Sequence, residues 1–197
     1  MKMKLGKLRY GRIAGVIVIG GLLILGFLLM LGGDSKKPST PVNVPKSLSD
    51  YAGSSATVGL TTKGAINARE NHREIRVIVG RSSRSIEIVR GYNNEVIRAK
   101  SYPNSKAAYS EFLYALSYSQ FTRSRSSNVK TEEGVCALGN RYVLTLEQGG
   151  RDVSRLWTST CSGIGKGTFG GSIAQILTLF EAQIPDYDKL TQNISLR

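Results

Sequence analysis

The feature that most constrains this chain is an unbroken apolar segment near its start. Ile13–Leu31 holds 19 residues without a charged, amide or proline side chain. At about 1.5 Å per residue, a helix over this run spans roughly 29 Å, close to the ~30 Å hydrocarbon core of a bilayer. The run therefore predicts a transmembrane helix and makes lipid the first expected partner of the chain.

The charges that flank this run predict its orientation. Residues 1–12 carry five basic side chains and no acid, and the nearest later charges are Asp34, Lys36 and Lys37. A basic excess before a span favours a cytoplasmic N-terminus, which makes the remainder extracytoplasmic. The alternative is a cleaved signal peptide, but its apolar region is shorter, about 7–15 residues, and ends at small residues. We expect an uncleaved anchor.

A tether and one domain are predicted after the anchor. Residues 32–55 are rich in Pro and Ser and show no apolar period, which indicates a solvated linker. Residues 56–190 are long enough to fold as one extracytoplasmic domain, with a short tail over residues 191–197.

Alternating apolar residues predict strands in the domain, at Val58–Leu60, Ile75–Val79, Ile86–Val89, Glu95–Ser101, Arg141–Gln148 and Val153–Thr160. Two amphipathic helices are expected, one capped by Asn104 or Ser105 and one capped by Ser172 and ended at Pro185. Tight turns make the strands antiparallel. We predict a two-layer α+β fold in which an antiparallel sheet of about six strands carries two helices on one face. The order of these strands and helices along the chain allows a ββα pseudo-repeat.

The two cysteines are predicted to form a structural disulfide. Cys136 and Cys161 flank the last predicted hairpin at nearly equal distances from its turn, so they lie at the same end of the ladder. An extracytoplasmic domain also meets an oxidising environment. The alternative is a reactive pair, but the spacing is unlike C-x-x-C and no His is near in sequence.

Basic side chains concentrate in the first half of the domain. Residues 63–130 carry 13 Lys and Arg against five acids, whereas residues 131–197 carry six against seven. A positive surface attracts polyanions, although it also serves solubility. The candidate anion-binding residues are four cations of the strands and one of a glycine-rich loop: Arg76, Arg84, Arg98, Lys100 and Lys166. Arg76 is expected in a water-facing row.

Patterns that suggest catalysis are isolated. Gly165–Gly170 fits G-x-G-x-x-G but follows an antiparallel hairpin rather than a βαβ unit, so we interpret it as a surface loop, with anion capture beside Lys166 as the alternative. Ser127–Lys130 fits S-x-x-K without the further elements that serine–lysine enzymes need. The single histidine, His72, is expected at the surface. We predict no catalytic residue, no metal site and no cofactor.

Other single residues have ordinary structural interpretations. Trp157 is expected to be buried or half-buried rather than to stack on a ligand. Tyr114 and Tyr118 are expected in core or rim packing, with a contact surface as the alternative. Asp186 and Asp188 are interpreted as solvated helix-end acids rather than a carboxylate pair.

A resemblance to a known family is carried by five segments: Arg90–Asn93, Ala107–Leu116, Gly134–Tyr142, Trp157–Cys161 and Gln183–Tyr187. These segments resemble a family of membrane-anchored, exported proteins of bacteria with reduced genomes, to which no activity is assigned. The resemblance implies anchoring, export and a small disulfide-bearing domain, and it implies no catalytic residue.

The functional prediction is a single-pass protein of the cell envelope whose extracytoplasmic domain binds without catalysis. Its partner is expected to be an envelope protein or an anionic polymer met by the basic half of the domain. An envelope hydrolase and an exported DNA-capture protein are the alternatives.

Overall fold

The computed structural model describes residues 47–197. The predicted cytoplasmic tail, the predicted transmembrane helix at residues 13–31 and most of the predicted linker lie outside the described residues. Within residues 47–197, none of the helices has the length and apolar character that crossing a bilayer requires.

The domain is built on one antiparallel sheet of six strands, which confirms that part of the predicted fold. The spatial order is β4-β3-β2-β1-β5-β6. The strands β1 to β4 form a meander, and β5 returns to pair with the free side of β1. Their bounds are β1 Thr57–Lys63, β2 Arg73–Gly80, β3 Ser83–Arg90, β4 Glu95–Pro103, β5 Arg141–Gln148 and β6 Arg151–Ser159.

Within residues 47–197, three α-helices accompany the sheet: α1 Lys106–Tyr118, α2 Ile173–Glu181 and a short α3 Tyr187–Thr191. Ser105, one of the two predicted caps, is the N-cap of α1, and its hydroxyl accepts a hydrogen bond from the Ala108 N–H at 3.1 Å. The order strand–strand–helix occurs twice, as β3-β4-α1 and β5-β6-α2. That these two units form a repeat stays a prediction.

The main core lies between the helices and one face of the sheet. The alternate residues of the strands that point to this face join the apolar sides of α1 and α2 in one buried cluster. At its centre the Phe112 and Phe180 rings meet edge to face, with centroids 5.2 Å apart. Burial of this apolar area is the main stabilising contribution to the domain.

The domain begins earlier than the predicted boundary at residue 56. A 3-10 helix, Leu48–Gly53, packs on α1, and its Leu48 and Tyr51 side chains are buried in the main core. The prolines upstream favoured a solvated linker as far as residue 55, but the few apolar side chains of this short helix gave no periodic signal.

The second face of the sheet is partly covered, whereas the sequence predicted cover on one side. The connection between α1 and β5 crosses β1, β5 and β6, where Trp157 and Val143 are buried. The Trp157 Nε1 donates to the Val129 carbonyl at 3.3 Å. Trp157 is therefore a structural side chain, as expected.

A disulfide joins Cys136 and Cys161, as predicted from their placement about the hairpin. The Cα atoms are 5.7 Å apart, beyond the Arg141–Ser159 end of the β5–β6 ladder. The bond ties the α1–β5 connection to the segment that follows β6.

Candidate interaction surfaces

Three of the five candidate anion-binding residues come together at one margin of the sheet. Arg84 lies on β3, and Arg98 and Lys100 lie on the edge strand β4. Register pairs Lys100 with Ile86 and Arg98 with Ile88, so their side chains point to the helix side of the sheet, as does that of Arg84. We call Arg84, Arg98 and Lys100 the basic margin.

The basic margin contacts the C-terminal helix region. The Arg98 guanidinium donates to the Leu190 carbonyl, and the Lys100 ammonium forms an ion pair with Asp186. The hydrogen bond between Lys100 and Asp186 raises the pKa of Lys100 and lowers that of Asp186. Asp186 is thus paired with a cation across the fold, and its interpretation as a solvated helix-end acid is incomplete.

Arg76 and Lys166 lie elsewhere. Arg76 projects from the opposite face of β2, where its Nη2 donates to the Glu74 carboxylate at 2.7 Å and to the Asn94 amide oxygen at 2.6 Å. Lys166 ends the 3-10 helix Gly163–Lys166 beyond β6 and is exposed. The five predicted residues therefore do not share one surface.

A buried ionic network occupies the covered part of the second face. Glu132, with no solvent exposure, receives hydrogen bonds from Lys63 Nζ and Arg155 Nη2, each at 2.8 Å. Burial alone would raise the pKa of Glu132, but these two cations outweigh it and hold the pKa at about 2. The glutamate also keeps the pKa of Lys63 above its ordinary value despite the burial of the amine.

His72 is buried, so its predicted surface position is wrong. Its Nδ1 lies 2.9 Å from the Ala65 carbonyl oxygen, and its Nε2 lies 3.5 Å from the Glu74 carboxylate. The ring stacks on Tyr92 with centroids 4.3 Å apart. The polar neighbours of His72 in sequence suggested exposure, whereas its cover comes from the turn between β3 and β4.

The two tyrosines expected in core or rim packing are exposed instead. Tyr114 is 67% and Tyr118 is 86% accessible, both on α1. The buried side of α1 is formed by Tyr109, Phe112, Leu113 and Leu116. At 100° per residue, the two exposed rings lie opposite this buried side. The alternative of a contact surface therefore has a geometric basis.

An open groove lies where α2 ends and α3 begins. Glu181, Tyr187 and Asp188 line it together with neighbouring residues, around a volume of about 510 Å³. Burial, aided by the nearby Asp188 carboxylate, raises the pKa of Glu181. Burial likewise raises the pKa of the Tyr187 phenol. Among residues 47–197, no group of acids, His or Cys has the arrangement of a metal site.

The glycine-rich loop has a packing role. Gly167 has φ +63°, and a Cβ on it would lie 2.3 Å from the Trp157 carbonyl oxygen. The N–H groups of Thr168 and Phe169 both donate to that same carbonyl at 2.9 Å. The glycine therefore permits the loop to close over the β6 edge at Trp157.

Comparison of the chain with known protein families and with curated proteins finds no match. The resemblance to membrane-anchored exported proteins thus stays a prediction, and the functional argument depends on the residues of this chain.

Proposed function

We propose that this chain is a single-pass envelope protein, held by residues 13–31, whose extracytoplasmic domain binds a partner and performs no catalysis. In this proposal residues 1–12 are cytoplasmic and the basic margin meets an anionic polymer or an acidic surface of another envelope protein. In this proposal, as in the predicted fold class, a transmembrane helix precedes the α+β domain.

The disulfide supports the extracytoplasmic location. Disulfides persist in oxidising compartments and are rare where thiols are kept reduced. The Cys136–Cys161 bond lies within the domain that the charge asymmetry around residues 13–31 predicts to be extracytoplasmic.

The observation that carries the binding proposal is the convergence of Arg84, Arg98 and Lys100 on one margin. Asp186 neutralises one of the three cations, and a backbone carbonyl holds another. Among residues 47–197, two of the three positive charges thus have no acidic partner, and they lie beside an edge strand whose side chains are mostly exposed. Such a margin attracts anions, and salt weakens the attraction.

The experiment is recovery of envelope partners with the tagged full chain from a detergent extract. The variant Arg98→Glu/Lys100→Glu reverses the margin, and Lys130→Glu/Arg151→Glu makes the same charge change at exposed positions outside it. We expect partner recovery to fall at least threefold for the first variant and to stay unchanged for the second. Equal recovery from both variants would remove the basic margin from the proposal.

The groove at Glu181 favours a second candidate, an envelope hydrolase. A partly buried acid with a raised pKa beside a second carboxylate is an arrangement used for acid–base catalysis. Degradation of isolated envelope material by the wild type, lost in Glu181→Gln and kept in Glu133→Gln, would replace binding by catalysis. If the wild type does not degrade the envelope material, binding remains the proposed function.

The salt dependence of DNA binding distinguishes exported DNA capture from the binding protein and the hydrolase. Binding through phosphate contacts falls steeply between about 50 and 200 mM salt and is insensitive to sequence. If the amount of DNA that the protein retains does not change over this range of salt concentration, DNA capture is rejected.

A further inference from the structure

The outer side of α1 carries two exposed aromatic side chains. Tyr114 and Tyr118 are four positions apart and follow Ala107 and Glu111 along the same side, which we call the outer α1 face. Within residues 47–197, no hydrogen bond and no ring contact involves either tyrosine. Two large rings at 67% and 86% exposure on one helix side form an exposed aromatic pair, and contiguous exposed apolar area is typical of contact sites.

The chain enters the domain beside this helix. The first described element, Leu48–Gly53, packs on α1, and the capping residue Ser47 begins it. Only 15 residues, 32–46, separate Ser47 from the end of the apolar run. At no more than about 3.5 Å per residue, this length keeps the point of entry within roughly 50 Å of the proposed anchor, so an element beside that point lies within reach of the lipid.

Tyrosine is suited to the boundary between lipid and water. Its ring is apolar and its hydroxyl is polar, and the residue is enriched at the interfacial level of membrane proteins. Two exposed cations flank the face, Lys106 at the first position of α1 and Arg123, which is held on Gln120 just past its end by a 2.7 Å hydrogen bond. Glu111 is the one acid of the face itself, and the two flanking cations outnumber it, which favours contact with anionic headgroups.

We propose that the outer α1 face lies in the headgroup region of the membrane that holds the anchor, with Tyr114 and Tyr118 as its interfacial contacts. This inference rests on the proposed membrane anchoring. It gives the domain a fixed orientation, with the outer α1 face on the lipid and the disulfide end turned away. The disulfide lies at the Lys63 end of β1, whereas the chain enters at the Thr57 end.

The test uses tryptophan as a depth probe in the full chain. Trp157 is the only tryptophan of the sequence and is wholly buried, so the wild type records a constant background. Tyr118→Trp places a probe on the outer α1 face. Leu138→Trp places a matched probe at a residue that is 91% exposed beside the disulfide. Both proteins are reconstituted in vesicles of phosphatidylcholine and phosphatidylglycerol, with and without brominated acyl chains.

We expect brominated lipid to quench the added emission of Tyr118→Trp at least twofold more than that of Leu138→Trp. Equal quenching of the two probes, or stronger quenching at residue 138, overturns the inference. In detergent without lipid, iodide should reach the probe at residue 118 at every protein concentration. Concentration-dependent protection there means that a second copy covers the face, and it too overturns the inference.

Alkaline carbonate extraction of the same vesicles separates this inference from the proposed function. Release of the protein into the supernatant shows that the anchor has failed, and the inference fails with it. Retention of the protein together with equal quenching of the two probes contradicts only the membrane contact of α1 and leaves the anchored binding protein in place.

Discussion

The Nζ of Lys63 lies 2.8 Å from the carboxylate of Glu132, which is itself completely buried. The two residues come from β1 and from the connection that crosses it, so their ion pair fixes that connection on the sheet. Arg155 of β6 completes the site with a second cation. A buried carboxylate that keeps its charge needs such partners.

Replacing Glu132 is expected to destabilise the domain. Glu132→Gln leaves Lys63 and Arg155 without their shared acid, and removal of one partner from a buried ion pair is strongly destabilising. Since both cations keep some contact with water, we expect the free energy of unfolding to fall by about 2–3 kcal/mol in urea denaturation. Glu133→Gln is the matched control: its carboxylate also pairs with Lys63, at 3.2 Å, but is 72% exposed, and it should change stability by no more than about 1 kcal/mol. Similar losses for both variants would contradict a special role for Glu132.

The same carboxylate should give the domain an acid-sensitive stability. The pKa of Glu132 is lowered in the fold from 4.5 to about 2. A lowered folded-state pKa stabilises the fold above pH 4.5, and the stabilisation is lost as the pH falls from 4.5 towards 2. Its size is about 3 kcal/mol. The difference in unfolding free energy between the wild type and Glu132→Gln should therefore shrink over this range, and a difference that stays constant would show that another group is responsible.

The disulfide should stabilise the domain mainly through the unfolded chain. Its cysteines are separated by 25 positions, and closing a loop of that length contributes roughly 3.5 kcal/mol in the chain-entropy account. Cys136→Ser/Cys161→Ser is expected to lose about that amount. Mass spectra of the exported wild type should show a mass that rises by two hydrogens on reduction. Two free thiols in the unreduced protein would contradict both the bond and the compartment.

Gly167 should tolerate substitution far less than a neighbouring glycine of the same conformation. Gly163 and Gly167 have φ of +62° and +63°, but only at Gly167 would a Cβ meet other atoms, those of Trp157. Gly163→Ala carries the backbone strain alone, on the order of 1 kcal/mol. Gly167→Ala adds a clash with backbone and is expected to cost at least about 2 kcal/mol more. Equal melting temperatures of the two variants would contradict the packing role of the loop.

Alternation and turn residues predicted the six strands and the antiparallel pairing, and they limited the cap of α1 to Asn104 or Ser105, because these features depend on neighbours in sequence. The disulfide followed from the symmetry of one hairpin, which is local as well. Sequence pattern also separated the two faces of β2, with Ile75, Val77 and Val79 on one side.

The features that the sequence did not predict depend on which distant segment of the chain covers a face of the sheet. Alternation shows that Lys63 and Glu74 share a side of the sheet, but nothing near them in sequence indicates that Glu132 closes over it. His72 is buried by Tyr92, which lies 20 positions away, for the same reason. Conversely, Tyr114 and Tyr118 were expected to be packed because aromatic residues usually are. They are exposed because other residues already occupy the single apolar side of α1.

Protease treatment of intact cells that express the full chain tests the central proposal most directly. If residues 13–31 hold the domain on the outer side of the membrane, external protease should remove residues 47–197 without lysis and leave a short membrane-embedded fragment. Survival of the whole domain until the cells are lysed would contradict the orientation, and with it the extracytoplasmic binding function.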